Sequence, residues 1–352
     1  MENIAGLCIS ASGLNIGYRL PGGRIKPVHE GMDFEVSPGG LTCLLGLNGA
    51  GKSTLIKTMC GIIPPLAGEV LIGGRPVRDY SHRELSMVLG TVFTGGTNVG
   101  GMSVYDLVSL GRHPFTDFFG RLGLRDRQAV ADAMEAVGIA AKAGCYVSDL
   151  SDGERQKAMI AKLLAQECPV MVLDEPTAFL DALSRIETMR LLRKTAVESG
   201  KTVLLSTHDL DNAISFADTL IIIAKGRALA CGAPEDLILS GAVADYFNRD
   251  GITFDSTTGK MGYSVSAGEV GISGEPSVTR WVSNAIMRNG LTPVAPREGM
   301  IRVECRSGND IDIVLRDGSR VNCSLIGTVA RSMRSLFPEE ARDGKSLRGL
   351  QG

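Results

Sequence analysis

The chain has 352 residues, 44 % of them hydrophobic and 22 % charged, enough apolar sequence for two or three domains with full cores, which excludes a single marginal one. A formal net charge of −2 argues against nucleic acid or an anionic membrane surface as a partner. Eight cysteines without a C-x-x-C pair read as buried or idle thiols in a reducing compartment rather than as a metal or disulfide framework. No apolar run approaches the roughly 18 residues of a spanning helix, and Met1-Glu2-Asn3 opens no signal peptide. The expectation is a soluble chain that reaches a membrane only through a partner.

From Cys8 to about residue 249, short apolar runs alternate with longer helical segments, the pattern of a mixed α/β domain. The first clear strand, 41–45, is led in by the turn Ser37-Pro38-Gly39-Gly40 and runs into Gly46-Leu47-Asn48-Gly49-Ala50-Gly51-Lys52-Ser53. That octapeptide fits G-x-x-x-x-G-K-[ST], the phosphate-cradling P-loop, and a helix over 52–60 follows it as the pattern requires. The glycines let backbone N–H groups face the phosphates, and the helix N-terminus adds a positive dipole end. Lys52 is then expected to neutralise the β- and γ-phosphates and the Ser53 hydroxyl to ligate Mg²⁺. Helices take over between residues 102 and 143, starting at Ser103-Val104-Tyr105-Asp106, where Ser and Asp fit a capping box. This stretch reads as a helical insertion.

The next strand, 170–173, ends in Asp174-Glu175. Asp174 is placed to hold Mg²⁺, directly or through water, and Glu175 to polarise a water in line with the γ-phosphate, although Asp-Glu after a strand is, seen alone, a common solvated turn. A further buried strand covers 203–206, and a hairpin joins 220–224 to 228–231 through Lys225-Gly226. Beyond about Tyr246 the composition shifts, and the Gly/Ser/Thr-rich passage from Phe254 to Pro276 reads as a linker or loosely packed extension. The remainder reads as a helix over 278–289, strands over 301–305 and 311–315, an Asp317-Gly318 turn and a last helix over 329–336, with a charged tail and no recognisable chemistry.

Together, the P-loop and the acidic strand resemble the ATP-binding-cassette (ABC) family over about residues 6–248. The resemblance implies nucleotide-binding roles for Tyr18, Gly46, Asn48, Gly49, Gly51, Lys52, Ser53 and Thr54, with the Tyr18 ring stacked on adenine; a core tyrosine is the alternative. Leu150-Ser151-Asp152-Gly153-Glu154 looks like the family's L-S-G-G-Q signature, and Ser151 with Glu154 makes a capping box that a plain helix start would also show. In the family, Ser151, Gly153 and Glu154 stand in the segment that contacts the γ-phosphate held by an opposite subunit, so the resemblance implies a head-to-tail homodimer. Asp181, in Ala178-Phe179-Leu180-Asp181, matches the D-loop residue that links the two sites, and His208 matches the switch histidine on the γ-phosphate. With Glu175 it completes the catalytic pair.

Two departures stand out. Where the family has a glutamine that ligates Mg²⁺ and senses the permease, this chain has Thr94, whose shorter hydroxyl suggests a contact through water. Asp152 and Glu154 make the signature acidic, and two carboxylates near a γ-phosphate repel it unless they point away.

The runs 61–77 and 108–114 most resemble cassettes of iron-siderophore, haem and cobalamin importers, and the stretch 95–121 is expected to form much of the groove for a permease coupling helix. The expected whole is an α/β P-loop cassette over 1–248 with a mixed sheet core, an antiparallel β subdomain and a helical insertion at about 95–165. A linker over 249–276 and a small α+β domain over 277–352 follow. Its expected work is ATP hydrolysis with ATP and Mg²⁺ at the cytoplasmic face of the cell membrane. The expected partners are permease subunits and, indirectly, a periplasmic or lipoprotein substrate-binding protein, with no nucleic acid. The alternative is a soluble ABC ATPase acting as an assembly or regulatory factor.

Overall fold

Apolar strands between helical segments can be covered on both faces, and a computed structural model places them so. The structure describes residues 7–93, 101–117, 119–249, 251–263 and 268–337. The chain divides into two compact units, Met1–Tyr246 and Phe247–Gly352.

In the first unit the five residues of Leu41–Leu45 are all buried, as are Val170–Leu173 and Thr202–Thr207. They sit in a six-stranded sheet whose order is Ala230–Gly232, Thr219–Ile222, Leu41–Leu45, Thr202–Thr207, Val170–Leu173, Leu89–Val92. All neighbours are parallel except the edge strand Ala230–Gly232, which returns antiparallel after the turn at Gly226 (φ 74°). A second, antiparallel sheet runs in the order Ile25–Val36, Ile9–Arg19, Ala67–Ile72, Arg75–Pro76. One apolar core joins the two sheets to the helix Lys52–Met59 through Leu55, Ile56 and Met59, so the helix that follows the P-loop is anchored from both sides.

Helices Val104–Ser109, Leu124–Ala136 and Asp152–Ala165 share a separate apolar core that includes Leu107, Val130, Met134 and Ala161. The first begins with the Ser103/Asp106 capping box, each partner satisfying a backbone N–H of the other. The Gly111-Arg112 pair has a packing explanation. A Cβ on Gly111 would lie 2.2 Å from the Lys162 carbonyl oxygen, and buried Arg112 bonds Asp126, the Ala165 carbonyl and Glu167. Together they clamp the segment that follows Val104–Ser109 to the helix Asp152–Ala165.

The second unit is a five-stranded mixed sheet, ordered Thr292–Val294, Glu269–Gly274, Arg302–Ser307, Asp310–Val314, Arg320–Cys323, with a separate hairpin of Ile252–Asp255 and Lys260–Tyr263. Helices Pro276–Met287 and Ile326–Leu336 share its core through Val282, Ile286, Val329 and Met333. The stretch 249–276, read from its composition as a linker, therefore holds a hairpin and a strand paired on both edges. The strand is hard to read because Val270 and Ile272 alternate with glycine and serine. A Cβ on Gly271 would come within 3.0 Å of Pro296 Cα and 3.1 Å of Arg302 Cβ, so small residues are what allow the close approach.

Candidate functional site

Parallel strands deliver their C-terminal ends to one edge of a sheet, and ligands of open α/β folds bind there. Leu45 pairs with Thr207, and Leu173 with Leu205, so the P-loop, Asp174-Glu175 and His208 emerge side by side. The strand Thr202–Thr207 lies between the other two, and the P-loop lysine and Glu175 meet across its end.

The P-loop is shaped by its glycines. A Cβ on Gly46 would fall 2.6 Å from the Ile223 carbonyl oxygen, while Gly49 (φ 80°) and Gly51 (φ 99°) occupy the left-handed region that side chains disfavour. Gly51 also caps the helix Lys52–Met59. Lys52 is buried, donates from Nζ to the Gly46 carbonyl at 2.8 Å and lies 3.3 Å from Glu175 Oε1. The other Glu175 oxygen is 3.2 Å from Nδ1 of half-exposed His208. One carboxylate thus touches both the P-loop cation and the strand-end histidine.

Glu175 has a φ of 47°, an uncommon conformation for a residue with a side chain. Its backbone N–H donates to the Ser206 hydroxyl at 2.9 Å, and that hydroxyl donates to Asp174 Oδ1 at 2.6 Å. Ser206 therefore orients both acidic residues at once. The sequence reading missed it, although a serine inside an otherwise apolar buried strand, two residues before His208, is the signal that marks it.

Tyr18, Lys26, Leu47 to Thr54, Glu175 and Lys225 line a cleft of about 460 Å³. Tyr18 is 40 % exposed, and its hydroxyl lies 3.0 Å from Thr54 Oγ1, which places the ring on the cleft rather than in the core. Asp174 is 2 % exposed and Ser53 lies in the first turn of the P-loop helix. A carboxylate and a hydroxyl form the hard, all-oxygen donor set that suits Mg²⁺. Thr94 lies outside the described residues.

Ser151, Gly153 and Glu154 are not among the residues that line this cleft. Ser151 and Glu154 start the helix Asp152–Ala165 as a reciprocal capping box, with Gly153 in its first turn and buried Leu150 pinning the approach. The Glu154 carboxylate is taken up by the Ser151 N–H and hydroxyl, each at 3.0 Å, and by Lys142 at 3.2 Å. Those contacts, the backbone bond foremost, lower its pKa. Asp152 pairs with Arg155 at 3.0 Å. Both acidic signature residues are thus matched by local cations. Gly153 lies against the segment at Phe179, whose carbonyl oxygen would be 3.2 Å from a Cβ there.

Asp181 caps the helix Ala182–Ser199 by accepting from the Ser184 N–H, which also lowers its pKa. Arg185, in that helix, donates to Asp209 beside His208 at 2.9 Å and to the Leu180 carbonyl at 3.4 Å, tying the two loops together. Among the described residues no helix is long and apolar enough to cross a membrane.

Comparison with known proteins agrees with this geometry. Residues 29–178 match the family described as ABC transporter. The ferric enterobactin transport ATP-binding protein FepC of Escherichia coli is 37 % identical over 60 % of this chain and 78 % of its own. The cobalamin import ATP-binding protein BtuD of Halobacterium salinarum is 36 % identical over 72 % of this chain and 63 % of its own. Among solved structures, a dimeric bacterial ABC transporter cassette superimposes with a TM-score of 0.57 at 25 % identity, covering 64 % of this chain and 98 % of that one.

Proposed function

The chain belongs to the ABC transporter family, and from that premise we propose that it is the ATP-hydrolysing subunit of an importer, held at the cytoplasmic face of the cell membrane by permease subunits. The observation that carries the reading is the single Glu175 carboxylate in contact with both Lys52 and His208 at the mouth of the P-loop cleft. The P-loop N–H groups and the Lys52 ammonium bind the β- and γ-phosphates, and the Tyr18 ring stacks on adenine. Ser53 and Asp174 would hold Mg²⁺, which would neutralise phosphate charge, and Thr94 would contact it through water. Glu175 accepts a proton from the water that attacks the γ-phosphate, while His208 hydrogen-bonds that phosphate; ADP and inorganic phosphate leave.

Two cassettes are proposed to close head to tail, so that Ser151 and Gly153 of one complete the site of the other and Asp181 links the two. The absence of the signature residues from the cleft lining of their own chain supports this, as does the dimeric cassette among similar structures. The assigned cargo is an iron complex of siderophore or haem type, or cobalamin. The ferric enterobactin and cobalamin relatives support that class. A substrate-binding protein outside the membrane would deliver it.

Purification of the tagged chain from detergent-solubilised membranes tests the assignment. A multi-spanning permease is expected in stoichiometric amount, together with steady ATP turnover. Turnover without any membrane protein in the preparation would favour a soluble assembly factor and overturn the importer reading.

A further inference from the structure

We propose that His29 is a positioning residue of the triphosphate cradle, an inference that rests on the ATP reading of the P-loop. His29 belongs to the strand Ile25–Val36 of the antiparallel sheet and is 8 % exposed. Its Nε2 lies 2.6 Å from the carbonyl oxygen of Ala50, inside the P-loop. A carbonyl oxygen only accepts, so the bond assigns the proton to Nε2 and makes the imidazole the donor.

The consequence follows from peptide geometry. In a trans peptide the Ala50 C=O and the Gly51 N–H share one plane and point in opposite directions. Tying the carbonyl to His29 therefore fixes the Gly51 N–H on the side of the peptide opposite the imidazole, and Gly51 itself lines the cleft together with the rest of residues 47–54. The constraint matters because Ala50 stands between Gly49 (φ 80°) and Gly51 (φ 99°), and glycine-flanked peptide planes rotate with little steric resistance. The Ala50 N–H already bonds the Leu47 carbonyl at 3.0 Å, so His29 secures the other end of the same residue. Close packing supports the contact: a Cβ on Gly51 would meet Val28 Cγ1 at 2.6 Å and His29 Cδ2 at 3.2 Å. The antiparallel sheet thus sets the orientation of one phosphate-binding N–H.

His29→Leu keeps comparable bulk and removes the donor. Equilibrium binding of ATP with Mg²⁺ to the full chain should weaken about 2- to 12-fold, the range for one lost hydrogen bond. In steady-state turnover KM should rise by more than kcat falls. His29→Gln, whose amide N–H can reach the same carbonyl, should restore most of the affinity. A lowered melting temperature in both variants with wild-type affinity in both would overturn the proposal, because packing alone would then account for His29. Lys52→Ala in the same assay separates the layers. Wild-type affinity there defeats the P-loop reading itself, whereas loss there with wild-type affinity in His29→Leu defeats only the role of His29. If His29→Leu does not fold, His29→Asn, whose shorter amide stops before Ala50, replaces it against His29→Gln, and equal affinities of the two would sink the idea.

Discussion

Glu175 follows a parallel strand, turns into the left-handed region and is kept there by the hydroxyl of Ser206, which also holds Asp174. A carboxylate fixed between an ammonium and an imidazole suits a proton acceptor that must not move while water attacks. Glu175→Gln preserves the shape and removes the proposed base. Phosphate release should fall by roughly 10²–10⁴, the range for losing a general base, while ATP binding persists because Lys52 and the P-loop glycines are untouched. Loss of binding together with turnover would instead show that Glu175 shapes the cleft. At this scale the motif residues were legible because each needs one residue type at one spacing. His29 and Ser206 were not, since each acts through a contact with a distant segment: Ala50 is 21 positions from His29, and Asp174 is 32 from Ser206.

Among the elements, the strands Leu41–Leu45 and Val170–Leu173 could be read to the residue because burial on both faces leaves an unbroken apolar run. Helix starts were legible where a capping box marks them, as at Ser103 and Ser151. The helix His82–Val88 carries another such box that the sequence reading passed over, with Ser81 and Glu84 exchanging bonds and Arg75 pairing with Glu84. Bonds from Ser81 and then Arg75 bring the Glu84 pKa down from 4.5 to about 2. A depressed carboxylate stabilises the fold above its unfolded value and stops doing so as pH falls through the folded one. The melting temperature of Glu84→Gln should therefore trail the wild type at pH 7, and the gap should close between about pH 4.5 and 2. A gap that is constant across that range would show that the ionised carboxylate is not what the cap uses. The strand Glu269–Gly274 escaped the sequence reading because half of its residues are small, and its pairing on both sides made it a strand.

Each of the two units has its own apolar core, the second centred on residues such as Val282, Val303, Ile311 and Val329. A shortened chain ending at residue 249 should unfold cooperatively and bind ATP within roughly twofold of the full chain, as expected for independent domains. Ile311→Ala in the full chain should destabilise the second unit by about 2–5 kcal/mol in denaturant melts and leave ATP affinity in place. If either change abolishes nucleotide binding, the units depend on each other. The sequence by itself determined the chemistry: a P-loop, an acidic strand end and a signature are local patterns whose residue types follow from binding phosphate and moving a proton. Tertiary structure decided the order of the strands, and with it the meeting of Lys52, Glu175 and His208 over the end of Thr202–Thr207. It also decided that the acidic signature is matched by Lys142 and Arg155, and that His29 reaches the P-loop from another sheet. Such contacts depend on which segments pack together, and spacing along the chain carries no record of distances between sheets.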